Sequence, residues 1–428
     1  MNRDRLSGQA TDGQVLLIVL CFALSFVAFG LTVSGPVDVA RGVVDILMAR
    51  DVLVTDYVGI GGLGAAFVNA GLLIVLVCGV YRVSKAKIDG AAVACLLLML
   101  GIGLFGNNLL NVWPGVAGTY LYAKHQRQPF AEHINTAFFG AALAPVFSEI
   151  LFTTSLPLPA RLALSLGTKL CIGFVVAPIA KQLFRAHDGF TLYNMGFVAG
   201  LVGTVVVAVY KAYGYVPEPV LIWTSGYNLI LGVFLGALFA STAMLGLLVD
   251  RQAWRKLGAL HRLPGQAPTD FITKVGLGPT LLNMAITGGI STGYVLAIGG
   301  DLNGPIVGTI FSVVGFAAFG KHTFNIVPVM AGVFLASLTA PWHVTDPSIL
   351  FAALFGTALA PIPGRFGPHW GVVAGFLHSC VVLTVGSLTA GLNLYNNGFA
   401  AGIVASLLVP VIVAWRRRTT RTRNSERS

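Results

Sequence analysis

Long apolar runs dominate the pattern along this chain. Residues 13–37, 57–81, 90–123, 219–249, 275–300 and 366–415 contain no Asp, Glu, Lys or Arg. One crossing of a bilayer core takes about 20 apolar residues, so the longer runs must fold back on themselves. Strands of a membrane barrel would alternate apolar and polar residues over about ten positions, whereas these runs are continuous and rich in Ala, Leu, Val and Gly. Helices are the remaining structure that satisfies its own backbone in lipid. The pattern predicts an all-α integral membrane protein with elements at 14–35, 58–81, 90–105, 109–123, 134–155, 161–180, 193–211, 225–249, 275–299, 304–319, 324–338, 348–363, 370–388 and 395–415.

Composition agrees, since 56% hydrophobic and 10% charged residues lie far from soluble norms. Cys21, Cys78, Cys95, Cys171 and Cys380 stand singly in apolar runs, without the paired spacing of a disulfide or metal framework. The segment 14–35 is too long for a signal peptide and reads as a retained helix. With a cytoplasmic N-terminus, the alternation of sides puts all but five of the 27 lysines and arginines inside. Arg41, Arg50, Arg161 and Lys211 fall outside, and Lys169 within a helix. That bias predicts both termini in the cytoplasm of a cell inner (plasma) membrane. The net charge of +11 then needs no nucleic-acid partner. The basic end, Arg416, Arg417, Arg418, Arg421, Arg423 and Arg427, is expected to touch anionic membrane lipids.

The chain also repeats itself. Phe105, Gly106, Asn111, Pro114, Ala117, Gly118 and Leu121 recur 214 residues later as Phe319, Gly320, Asn325, Pro328, Ala331, Gly332 and Leu335. FGAALAP at 139–145 returns as FGTALAP at 355–361, and 189–202 matches 391–404 with 9 identities in 14 positions. Seven predicted elements separate each element from its partner, and an odd number of crossings inverts the second copy. The loop before Gly90 is basic, while its counterpart before Gly304 holds Asp301 and no basic residue. Inverted repeats are common in transporters and channels, with a site near the midplane; that step is analogy. The expected organisation is a cytoplasmic tail at 1–13, a first repeat at 14–211, an outer loop, linking helix (225–249) and basic loop (250–274) within 212–274, a second repeat at 275–415 and a basic tail at 416–428. The linking helix is also a candidate for opening the second repeat.

These blocks resemble a bacterial membrane-protein family, Domain of Unknown Function 1576, whose hallmark is a duplicated region ending in an LYNxGF-like segment. The matching residues here are 192–197 and 394–399, and the resemblance runs from about Gly59 to Val413. It implies the fold and the duplication, and nothing about substrate or activity.

Few residues offer chemistry. The run 90–123 splits around Gly106, Asn107 and Asn108 into two pieces, each short for a crossing, with basic residues flanking both ends. A re-entrant or broken hairpin would set Asn111 near mid-membrane, and Asn325 in its mirror element; two short tilted helices joined by an ordinary turn fit as well. Lys321, expected at the cytoplasmic surface, argues for the tilted pair. Tyr193 and Asn194, and Tyr395 and Asn396, open helices in the Tyr-Asn-x-Gly-Phe segments, where Asn caps free N–H groups and a helix start inside the membrane attracts anions or polar solutes. Glu149 and Lys169 lie at similar depths on neighbouring elements, where they could meet as an ion pair or a coupling site. His378 is a lone histidine on an apolar face, either a satisfied core residue or part of such a site. Neither an HExxH motif nor a Walker-type P-loop is present, and no soluble domain could hold ATP. The chain therefore reads as a transporter of a small solute, not an enzyme, with no cofactor and no metal site. A passive channel for small neutral solutes is the alternative, prompted by a faint similarity of the Tyr-Asn segments to those of urea channels; a membrane enzyme or scaffold is a third class. Solute and homo-oligomeric state stay unassigned.

Overall fold

A computed structural model of the protein describes residues 10–218 and 220–425. Most of the tail 1–13 lies outside the described residues, as do the side chains of Arg418, Arg421, Arg423 and Arg427. The first half comprises α1 (Asp12–Val33), α2 (Pro36–Met48), α3 (Tyr57–Val83), α4 (Gly90–Ile102), α5 (Trp113–His125), α6 (Ile134–Phe139), α7 (Pro145–Thr153), α8 (Leu158–His187) and α9 (Asn194–Ala212). The second half comprises α10 (Asn228–Val249), α11 (Ala253–Leu260), α12 (Phe271–Val275), α13 (Leu277–Ala297), α14 (Gly304–Phe316), α15 (Thr323–Ser337), α16 (Pro347–Phe355), α17 (Pro361–Phe366), α18 (Pro368–Thr389) and α19 (Asn396–Ser425).

Every predicted element is helical, but not every one is long enough to cross a bilayer. Among the described residues seven helices are long and apolar enough to span a membrane, and the pair formed by α6 with its following turn and α7, bent by 42°, makes an eighth. The 13-residue α4 and α5 are each only about 20 Å long, against a core of about 30 Å. The amphipathic α2 was not predicted; it buries Val39, Gly42 and Ile46 and exposes Asp38, Arg41 and Asp45.

The second half rebuilds the first, piece by piece. α1 packs on α3 as α10 packs on α13, and α5 on α8 as α15 on α18. The linking helix of the sequence reading thus packs as the counterpart of α1. Asp89 caps α4 by accepting from Ala91 N and Ala92 N (both 3.1 Å), and Asn303, 214 residues on, caps α14 from Ile306 N (3.0 Å). Gly62 (φ +85°) breaks α3, and Gly276 (φ +98°) separates α12 from α13 at the equivalent place. Only glycine takes that conformation without strain.

The two halves meet in reciprocal contacts. α4 crosses α14 so closely that a Cβ on Gly101 would lie 2.3 Å from Gly308 O. α9 and α19 cross at Gly196 and Gly398, where a Cβ on either would sit 2.7 Å from the other's Cα, and Phe197 stacks on Phe399 at 6.3 Å. Small residues let helix backbones approach, which is where packing energy in lipid comes from. Leu192 N donates to Ala358 O (2.9 Å) and Leu394 N to Ala142 O (2.9 Å). Leu53 N to Gly391 O (2.8 Å) and Ala267 N to Gly189 O (3.1 Å) form a second reciprocal pair.

Candidate functional site

Breaking a helix inside a membrane exposes carbonyls that lipid cannot satisfy, so the break must carry its own donors. Between α4 and α5, Asn69 Nδ2 donates to Gly103 O (2.7 Å) and Asn107 O (3.1 Å). Between α14 and α15, Asn283 Nδ2 donates to Ala317 O (2.9 Å) and Lys321 O (2.8 Å). Asn111 Nδ2 reaches Gly106 O (2.8 Å), and Asn325 Nδ2 reaches Gly320 O (2.9 Å). Asn111 and Asn325, expected to line a solute path, brace these turns instead, and neither lines the cavity described next.

That cavity, about 190 Å³, lies between the halves where their Tyr-Asn segments meet. At roughly 10–15 Å³ per water centre it is roomy enough for a small solute. Tyr193, Asn194 and Tyr395 line it with Asn135, Thr136 and Thr191, and its apolar wall includes Leu98, Phe139, Phe184, Phe316 and Phe319. The two tyrosine rings stack at 6.2 Å. Asn194 is held by His187 Nε2 (3.0 Å) and by donating to Ala180 O (3.1 Å). Asn396 is elsewhere: it accepts from Thr389 Oγ1 (2.7 Å) and borders a separate groove of about 520 Å³.

The expected charged residues do not converge. Glu149 pairs with Arg50, whose Nε and Nη2 donate to its two oxygens at 2.5 and 3.0 Å, while Tyr215 Oη completes the shell. Lys169 does not meet it; its buried ammonium reaches Gly140 O at 3.4 Å and packs over Gly115. The pairing with Arg50 was hidden because Arg50 lies in the connection after α2, 99 residues from Glu149, and no periodicity links the two. His378 is fully buried, with Nε2 3.0 Å from Asn397 Oδ1 and Nδ1 unpartnered.

Three buried charges escaped the sequence reading: Asp51, Lys321 and Asp56, the last of which caps α3 by accepting from Val58 N (3.0 Å). Asp51 is fully buried; its carboxylate accepts from Tyr57 Oη (2.5 Å) and Asn111 Nδ2 (2.8 Å). Lys321, expected at the cytoplasmic surface, is fully buried in the break after α14 and donates to Tyr193 Oη (2.8 Å), which also hydrogen-bonds Ser312 Oγ. Its position beside Gly320, the repeat of Gly106, was the available signal.

One pentad, Gly289-Ile290-Ser291-Thr292-Gly293, fits the G-x-S-x-G pattern of hydrolases and went unnoticed in the sequence. It lies inside α13, and Ser291 Oγ donates back to Thr287 O (2.8 Å), so it lacks the exposed strand-to-helix turn that such a nucleophile needs. Among the described residues no three His, Cys, Asp or Glu side chains converge as for a metal. The site's polar chemistry is carried by tyrosine, asparagine, threonine and lysine.

No curated protein and no solved structure matches this chain. A family model described as "Protein of unknown function (DUF1576)" matches residues 36–212 and 249–414, the two halves of the duplication. Those two regions take in α2 to α9 and nearly all of α11 to α19, and the chain belongs to the DUF1576 family.

Proposed function

We propose that the protein is a multi-pass transporter, moving a small solute through a site between two inverted repeats in the inner (plasma) membrane, with both termini in the cytoplasm. With α4 and α5 read as one re-entrant hairpin, the crossings of the first half are α1, α3, the α6–α7 pair, α8 and α9. That number is odd, so the second half enters the bilayer upside down. Arg82, Lys85 and Lys87 near the base of the first hairpin, against Asp301 at the base of the second, support opposite sides. Basic residues close to the ends of α5, α8 and α17 support the same orientation.

The observation that carries the function is the cavity bounded by both repeats at their Tyr-Asn segments, beside broken helices. Irregular backbone at membrane depth is tolerated where it borders a cavity, and discontinuous helices around a midplane site are the recurrent design of secondary transporters. Reconstitution into liposomes tests the reading, with uptake of amino acids, organic acids, sugars, nucleobases and urea followed under imposed ion gradients. Saturable uptake of one class is the expected result. Flux that never saturates would replace the transporter with a channel, and lipid conversion without flux would replace it with an enzyme.

A further inference from the structure

Tyr193 and Tyr395 hold equivalent places in the two repeats but meet different partners. Tyr193 Oη has Ser312 and Lys321. The offset of 214 puts Leu98 and Asn107 where the second half has Ser312 and Lys321. Tyr395 Oη has no hydrogen-bond partner, although the residue is only 3% exposed and lines the cavity.

Lys321 is unbalanced as well. Its ammonium lies 4.5 Å from the Tyr193 ring centroid and 5.3 Å from that of Phe316, and both rings line the cavity. Among the described residues the ion pairs are Arg50 with Glu149 and Lys256 with Asp250, so no carboxylate neutralises Lys321. A buried ammonium held by one hydroxyl and two ring faces is short of negative charge. The cavity wall contains no Asp or Glu, and the N-terminus of α9, with the positive end of its dipole, opens there at Asn194. Lys321 stands just behind this wall, touching it through Tyr193 and Phe316, whereas Lys169, also fully buried, touches neither.

We propose that the cavity binds a small organic anion, one carboxylate on an apolar body. The carboxylate is held by the hydroxyls of Tyr193 and Tyr395 in the field of Lys321, and the body packs on Phe139, Phe316 and Phe319. This assignment names the solute class of the transport reading and rests on it. The anion supplies the charge that Lys321 lacks and the partner that Tyr395 lacks.

The test is thermal unfolding of the purified full-length protein in detergent with matched pairs of equal shape: benzoate against benzamide, and butyrate against butyramide. The wild type is expected to gain stability with the acids and not with the amides. Lys321→Met is expected to abolish the gain, and Tyr395→Phe to weaken apparent affinity by roughly tenfold. Tyr395→Phe removes an unpartnered buried hydroxyl and so folds at least as well as the wild type, making its lost response a loss of binding. Equal shifts with acid and amide, no shift with either acid, or an acid response that survives both substitutions would overturn the anion site. The liposome assay separates the two claims. Flux of neutral solutes indifferent to Lys321→Met overturns the anion assignment and leaves the transporter; acid binding without flux of any solute removes the transporter and leaves the anion site.

Discussion

The two broken hairpins share a frame and differ in charge. At the first, Asp51 gathers Tyr57 and Asn111, with Asn108 Nδ2 at 3.4 Å. At the second, Gly265, Phe271 and His322 stand in those places, and a Cβ on Gly265 would lie 2.9 Å from Asn325 Nδ2. The acid is gone, and a base has appeared at Lys321 where the first half has Asn107. The bracing amides, Asn69 with Asn283 and Asn111 with Asn325, are present at both. The comparison separates two demands. Satisfying backbone is imposed by lipid on each copy alike, whereas a buried charge is costly in lipid and stays only where it has a task.

Stripping the shared frame should hurt most. Asn69→Leu and Asn283→Leu each leave two buried carbonyls without their donor, at about 1–3 kcal/mol apiece, so each variant is expected to lose about 2–6 kcal/mol. Reversible unfolding in mixed detergent measures it, and losses that differ severalfold between the two would break the claim of a common frame. The unshared charge should come next. Asp51→Ala leaves the donors of Tyr57 and Asn111 unmet and should cost about 1–3 kcal/mol, while Asp51→Asn keeps an acceptor and should recover a good part of it. If Asn proves as harmful as Ala, the negative charge itself matters at the first tip, and the contrast with Lys321 sharpens.

The smallest effect is expected where water, not lipid, is the solvent. Lys256 Nζ, on α11, donates at 2.7 Å to Oδ2 of Asp250 at the end of α10, and this bond holds the Asp250 carboxyl below its usual range. Lys256→Ala should cost no more than about 1 kcal/mol. Because the folded-state value is depressed, the contribution is present above the unfolded carboxylate's pKa and fades as pH falls through the folded one. A pH scan of Tm comparing wild type and variant should therefore show a small gap at neutral pH that closes in acid.

Much of this frame was legible in the sequence. Uninterrupted apolar runs located the helices, and the offset of 214 located the pairs, because both signals are written in consecutive residues. The short runs around Gly106 and Gly320 already suggested broken elements. α2 escaped because the exposed Asp38, Arg41 and Asp45 alternate with its buried residues along the sequence, so it does not look like a membrane run. The site was less legible. Tyr193, Asn194 and Tyr395 do border one cavity, whereas Asn396 borders another and Asn111 and Asn325 turned inward to backbone. Glu149 was matched to the wrong base because depth along a helix gives no direction around it. Lys321 was placed in water by counting crossings, whereas it is fully buried in the break after the 13-residue α14, a helix too short to count as a crossing.

The crossed bonds Leu192 to Ala358 and Leu394 to Ala142 bear on how the chain is made in the cell. Each half ends in a segment whose backbone donor finds its acceptor only in the other half. While the ribosome is still threading the second half into the bilayer, the first half's Leu192 N–H and Ala142 carbonyl have no acceptor or donor of their own. Maturation is therefore expected to wait for the last helices, with the first half alone a substrate for membrane proteases. Pulse-labelling of chains stopped at residue 226 tests this: a half as long-lived as the whole protein would show that the stitch closes without its partner.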